Sequence, residues 1–215
     1  MPNHVTTRVK APAQVIQALL NEKGEIDFGM VIPWDGSFPW NGVSGAAETC
    51  AEAVLNKPLN EHGLIASLQA ESRRRADVSA LDDEDFEQFV QMLRNHRQTG
   101  YLHQMDFARA KWGTKWNAYS QAVNLEAQEA KFDTAWSCPI PVLTKLSSAF
   151  PVALIEVQFA DEDIGSNCGT IHLTAGEEVL RDVAGRWAEM NQQEREKWQA
   201  FAYQVKGWSP ESDDD

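Results

Sequence analysis

The chain has 215 residues, 43% of them hydrophobic, and a formal net charge of −13. That length fits one domain with insertions or two small ones, with enough apolar material for a core. The acidity disfavours direct nucleic-acid binding, which rests on clustered Lys and Arg, and it is uneven: residues 1–43 carry −1, 44–98 carry −4, 99–160 carry zero and 161–215 carry −8.

Val5-Thr6-Thr7-Arg8-Val9 alternates and is β-branched, so a strand is expected. Pro12 opens a helical pattern through Val15, Ile16, Leu19 and Leu20, with Gly24 as the stop. Ile26, Phe28, Met30 and Ile32 alternate toward Pro33 and predict a second strand, followed by a Pro/Trp/Gly-rich loop to Gly45. Residues 46–99 change character. Ala46, Cys50 and Val54 or Leu55 suggest a short helix, Gly63 to Arg75 another, and Asp82-Asp83-Glu84-Asp85 opens a third. In that third helix Phe86, Phe89, Val90 and Leu93 line one face and Gly100 ends it. This segment is expected as a helical insertion.

Leu125 to Phe132 leads into Thr134-Ala135-Trp136, a further predicted strand. A helix from Pro139 or Pro141 carries Val142, Leu143, Leu146 and Phe150, and strands are expected at Val152–Phe159 and Gly169–Thr174. From Glu177 the positions Val179, Leu180, Val183, Ala184, Trp187 and Met190 match a helix. Trp198, Phe201, Ala202 and Val205 continue it past a kink near Asn191. The order predicts an α+β, ferredoxin-like βαββαβ antiparallel sandwich with a helical insertion and an acidic C-terminal helix. Residues 1–45 and 100–175 would form the core, 46–99 the insertion, 176–208 the C-terminal helix and 209–215 a disordered acidic tail.

Cys50, Cys138 and Cys168 are isolated, and an odd count without C-x-x-C argues against a secreted disulfide framework. No basic-then-apolar leader and no membrane-length apolar run occur, so a cytosolic location is expected. The five histidines show no H-E-x-x-H and no paired Cys–His spacing, and no Walker, Rossmann or G-x-S-x-G pattern occurs. No cofactor and no metal are expected. Asp161, Glu162 and Asp163 fail the EF-hand spacing at Gly165 and read as a solvated turn. Arg73-Arg74-Arg75 reads as the charged end of a helix.

The densest signal is Lys111-Trp112-Gly113-Thr114-Lys115-Trp116-Asn117-Ala118-Tyr119, followed by Phe132-Asp133-Thr134-Ala135-Trp136-Ser137-Cys138-Pro139. Indoles at this density form a packing nucleus or a binding surface. The candidate binding residues are Trp112, Lys115, Trp116, Asn117, Tyr119 and Trp136, with Trp112, Trp116 and Trp136 expected to converge. A second group is Asp182, Glu189 and Glu194, carboxylates that would face water on the acidic helix and attract a basic partner.

Together with Pro2-Asn3-His4-Val5-Thr6, Phe150-Pro151 and Asp161-Glu162-Asp163-Ile164-Gly165, these runs resemble the YubB-like ferredoxin-like family of phages, prophages and plasmids. The resemblance spans about half the chain. It implies a ferredoxin-like core and a mobile-element origin, and it implies no catalysis or ligand. The function expected is that of a non-catalytic accessory protein binding a basic-surfaced host protein in the bacterial cytosol, as a counter-defence inhibitor. The alternatives are a Trp-lined domain for a ligand or single-stranded nucleic acid, and a metal-assisted hydrolase using Asp161 and Asp163.

Overall fold

β1, His4–Lys10, lies at the centre of the sheet and is followed by one short helix, α1 (Ala13–Gln17). The computed structural model describes residues 3–209, so the expected tail falls outside the described residues from position 210 on. Four helices come next: α2 (Gly45–Val54), α3 (Gly63–Arg74), α4 (Asp83–Thr99) and α5 (Gln104–Lys111). Then follow β2 (Tyr119–Asn124), β3 (Glu129–Ala135), α6 (Ile140–Ala149), β4 (Ile155–Asp161), β5 (Gly169–Thr174), β6 (Glu177–Val183) and α7 (Gln192–Lys206).

The sheet order is β2-β3-β1-β4-β5-β6, with every neighbouring pair antiparallel. The first four strands, ordered 2-3-1-4 with helical connections after β1 and β3, make a ferredoxin-like α+β fold. β5 and β6 extend its sheet on the β4 side. Alternation sorts the two faces. Val5, Val9, Phe132, Ile155, Val157 and Ile171 are buried on one face, in a core completed by Val15 and Ile16 of α1 and Leu143 and Leu146 of α6. On the other face α7 buries Trp198, Ala202 and Val205 against Ala160 and Cys168.

The chain divides into two compact units. One joins the residues up to Pro33 with those from Ala108 on, and the other is Trp34–Phe107, wider than the expected 46–99. In the second unit Ala47, Cys50 and Ala51 of α2 meet Phe89 and Met92 of α4. Asp82 caps α4 by accepting from the Asp85 amide at 2.8 Å, and Gly100 ends it in the left-handed region at φ 83°. The buried stripe of α4 is Gln88, Phe89, Met92 and Asn95, one step round from the apolar stripe expected, and Phe86 is exposed. Amides take those places because Gln88 accepts from the Ser44 amide and Asn95 holds Ser37 and the Leu102 carbonyl.

Two expected elements are corrected. Ile26–Ile32 is a loop around a single turn, Phe28–Met30, and not a strand. Three of its amides go to side chains: Asp27 accepts from Gly29, Asn117 from Phe28 and Gln121 from Ile26. The second strand of the fold is β2, drawn from the end of the tryptophan-rich segment. The helix expected from Glu177 is a strand, β6, joined to β5 through Ala175-Gly176 at φ 53° and 84°. Two consecutive left-handed residues make the tight connection favoured between antiparallel strands. The C-terminal helix begins only at Gln192, where Asn191 and Glu194 form a reciprocal capping box.

Candidate functional site

One end of the sheet gathers the motif residues. The register sets His4 opposite Ala135, Val5 opposite Asp161 and Tyr119 opposite Asp133, so the starts of β1 and β2 meet the ends of β3 and β4. Side chains lock the place together. His4 Nδ1 and the Tyr119 hydroxyl share a hydrogen bond of 2.7 Å, and Thr6 donates to Asp133 at 2.7 Å. Asp161, 4% exposed, accepts from Asn3, from Asn167 and from the Asp163 amide. Both of its oxygens thus tie the start of β1 to the loop after β4. Among the described residues, no group of three His, Cys, Asp or Glu stands ready to hold a metal ion.

Lys206, near the C-terminus of α7, reaches the same end and donates to the His4 carbonyl at 3.1 Å and to Thr6 at 3.4 Å. Burial pushes its ammonium below the ordinary lysine value, against the pull of Asp133, Glu162 and Asp161. Burial, and then the charges of Asp133 and Glu162, push the Tyr119 phenol up to about 12. Burial likewise raises the Cys138 and Cys168 thiols to about 12, so both stay protonated at neutral pH and are poor nucleophiles.

The expected aromatic candidates separate into framework and surface. Trp112 is framework: it is 2% exposed, donates from Nε1 to the Ile32 carbonyl at 2.9 Å and meets Phe28 edge-on. Asn117 is framework too, holding Phe28 and Asp27. Thr114 donates to the Ala135 carbonyl at 2.8 Å, and Ser137 donates to that of Gly113, fastening the loop to the end of β3. Trp116 and Trp136 are surface, 40% and 52% exposed, so the three indoles do not share one buried cluster as expected. Trp116 packs edge-on to Tyr119, with the Lys115 ammonium 4.9 Å from its ring centre. Trp208, which the sequence reading overlooked, is 44% exposed beside Lys206.

Trp136 is the least expected of these. It sits in the left-handed region at φ 72°, where a residue with a Cβ is strained. Its amide donates to the Asn3 carbonyl and its carbonyl accepts from Asn167, which hold the turn in place.

The acidic candidates are brought together around a shallow depression between β6 and α7, and each is engaged. Asp182 pairs with Lys197 at 3.1 Å, Glu189 with Arg186 at 3.5 Å, and Glu194 closes the capping box. Arg73 is not a solvated end: it is clamped by Glu52 and the Lys57 carbonyl.

The fold and this sheet end define a ferredoxin-like α+β protein. Residues 111–205 match the model of a family described as the ferredoxin-like domain in Api92-like protein. A similar solved structure is the crystal structure of protein Api92 from Yersinia pseudotuberculosis. It is 11% identical, with 86% of this chain and 99% of that chain covered and a TM-score of 0.37. No curated protein matches the chain. Among the described residues, no helix is long and apolar enough to cross a membrane.

Proposed function

We propose that this chain is a non-catalytic binding protein whose partner, a host protein, seats on the aromatic end of the sheet through Trp116, Trp136, Tyr119 and Lys115. The observation that carries the reading is Trp136. Half its surface is in water and its backbone is strained, so glycine would serve the fold better. Strain held at an exposed aromatic residue is characteristic of binding sites, and Trp and Tyr dominate the energetics of protein interfaces.

The finer form of the reading is an accessory protein of a phage, prophage or plasmid that blocks a host defence protein in the bacterial cytosol. It rests on the motif resemblance to the YubB-like family. A basic surface on the partner rests on net charge alone, because Asp182, Glu189 and Glu194 are already engaged. The test is quantitative co-purification from host lysate with the native chain, Trp136→Gly and Trp116→Ala. A stoichiometric partner retained by the native chain and lost by both variants supports the reading. A partner retained equally by all three, or none at all, contradicts it.

A further inference from the structure

The sheet face that carries α7 is only half covered. Beyond the helix's last turn lies an open groove of about 490 Å³, lined by β1, β2, β3, β4 and β5. Its polar floor follows from the register. Lys131, Arg8 and Gln158 stand side by side in one cross-strand row, and Glu129, Lys10, Glu156 and His172 in the next.

Arg8 and Lys131 are directly opposite, an arrangement of like charges that destabilises a strand pair unless something offsets it. The offset is the end of α7. Arg8 Nε donates to the Val205 carbonyl at 2.7 Å, and Lys131 donates to the Lys206 carbonyl at 3.0 Å, so two cations meet the negative end of the helix dipole. Those contacts use one of five guanidinium donors and one of three ammonium donors. Lys10, two residues along β1, is exposed on the same face. Among the described residues, none of the three forms an ion pair with a carboxylate, although acidic residues outnumber basic ones 32 to 19 in this chain.

Three cations with spare donors in a concave, partly enclosed place form an anion site, and the volume falls in the range of small-ligand pockets. Among the described residues, no Phe, Tyr or Trp lines the groove, so a flat aromatic ligand would gain no stacking there. Glu129 and Glu156 lie at its margin and accept only. The complementary ligand pairs one anionic group with several hydroxyl donors. We propose that this groove binds a small phosphorylated polyol, its phosphate among Arg8, Lys10 and Lys131 and its hydroxyls donating to Glu129 and Glu156.

The inference is independent of the aromatic sheet end, and Trp136→Gly serves as the control. Titration calorimetry with glucose 6-phosphate, glucose, gluconate and inorganic phosphate separates the parts of the claim. Glucose 6-phosphate should bind to the native chain and to Trp136→Gly alike. Lys10→Gln should weaken it about tenfold, as the loss of one charge-assisted contact. Glu156→Gln should weaken glucose 6-phosphate and leave inorganic phosphate unchanged. Both substitutions are at solvent-accessible positions, and matching melting curves will establish that the variants fold. No binding of glucose 6-phosphate up to about 10 mM, a range that reaches very weak affinities, overturns the proposal. So does binding indifferent to Lys10→Gln. Gluconate or inorganic phosphate binding as tightly as glucose 6-phosphate overturns the ligand class.

Discussion

Two tryptophans four positions apart have opposite fates. Trp112 fills the core and spends its indole N–H on Ile32, whereas Trp116 stands 40% exposed against Tyr119. Trp112→Ala should cost about 3–5 kcal/mol, the usual range for emptying a large buried aromatic site. Trp116→Ala should cost less than about 1 kcal/mol, as most exposed substitutions do. Urea unfolding of both variants checks the contrast, and equal losses would contradict it. The sequence showed that this stretch mattered but not which indole was which, because Trp112 sits at the end of α5 and Trp116 in the loop before β2. Side-chain ionisation gives a second prediction. Cys138, Cys168 and Tyr119 have folded values raised to about 12, so the folded chain holds protons that the unfolded chain releases at lower pH. Their stabilisation is full below the ordinary thiol value and is lost as pH rises from about 9 through about 12. Lys206, shifted downward, has the opposite slope over its own window up to its ordinary value of 10.5. Unfolding free energy followed above pH 9 should fall, and more shallowly in Cys138→Ala than in the native chain.

At the scale of elements, periodicity was readable where one face is buried and unreadable where it is not. β1, β4, β5, α4 and α6 each bury one side, and their patterns announce them. β6 is an edge strand exposed along nearly its whole length, so no alternation was imposed on it and its apolar residues fell by chance into helical spacing. The local chemistry was the better guide: Ala175-Gly176 marks a hairpin and Asn191 a helix start. Asn191→Ala, which removes half of the capping box, should lower stability by about 1 kcal/mol. α3 shows the reverse problem. It turns Ala66, Gln69, Ala70 and Arg73 inward and leaves Leu64, Ile65 and Leu68 exposed, so its apolar positions were visible in the sequence while their direction was not. Leu68→Gln should therefore leave thermal stability within about 0.5 kcal/mol of the native chain, the range typical of surface changes. A large loss would show that this face is covered.

Across the whole molecule, the ferredoxin-like core was legible because it needs only the order of strands and helices. The candidate site was half legible. Its residues come from four strand ends up to 158 positions apart, as in the Asn3–Asp161 hydrogen bond, and only the register brings them together. Net charge, the most conspicuous whole-chain property, singled out Asp182, Glu189 and Glu194, which the structure shows paired with Lys197 and Arg186 or capping a helix. The sheet end bearing Trp116 and Trp136 is the proposed partner surface. Fluorine NMR of the chain labelled with 5-fluorotryptophan, titrated with the co-purified partner, tests it most directly. The resonances of Trp116 and Trp136 should shift or broaden while that of buried Trp112 stays in place; a bound partner that leaves both exposed indoles unmoved would contradict the account.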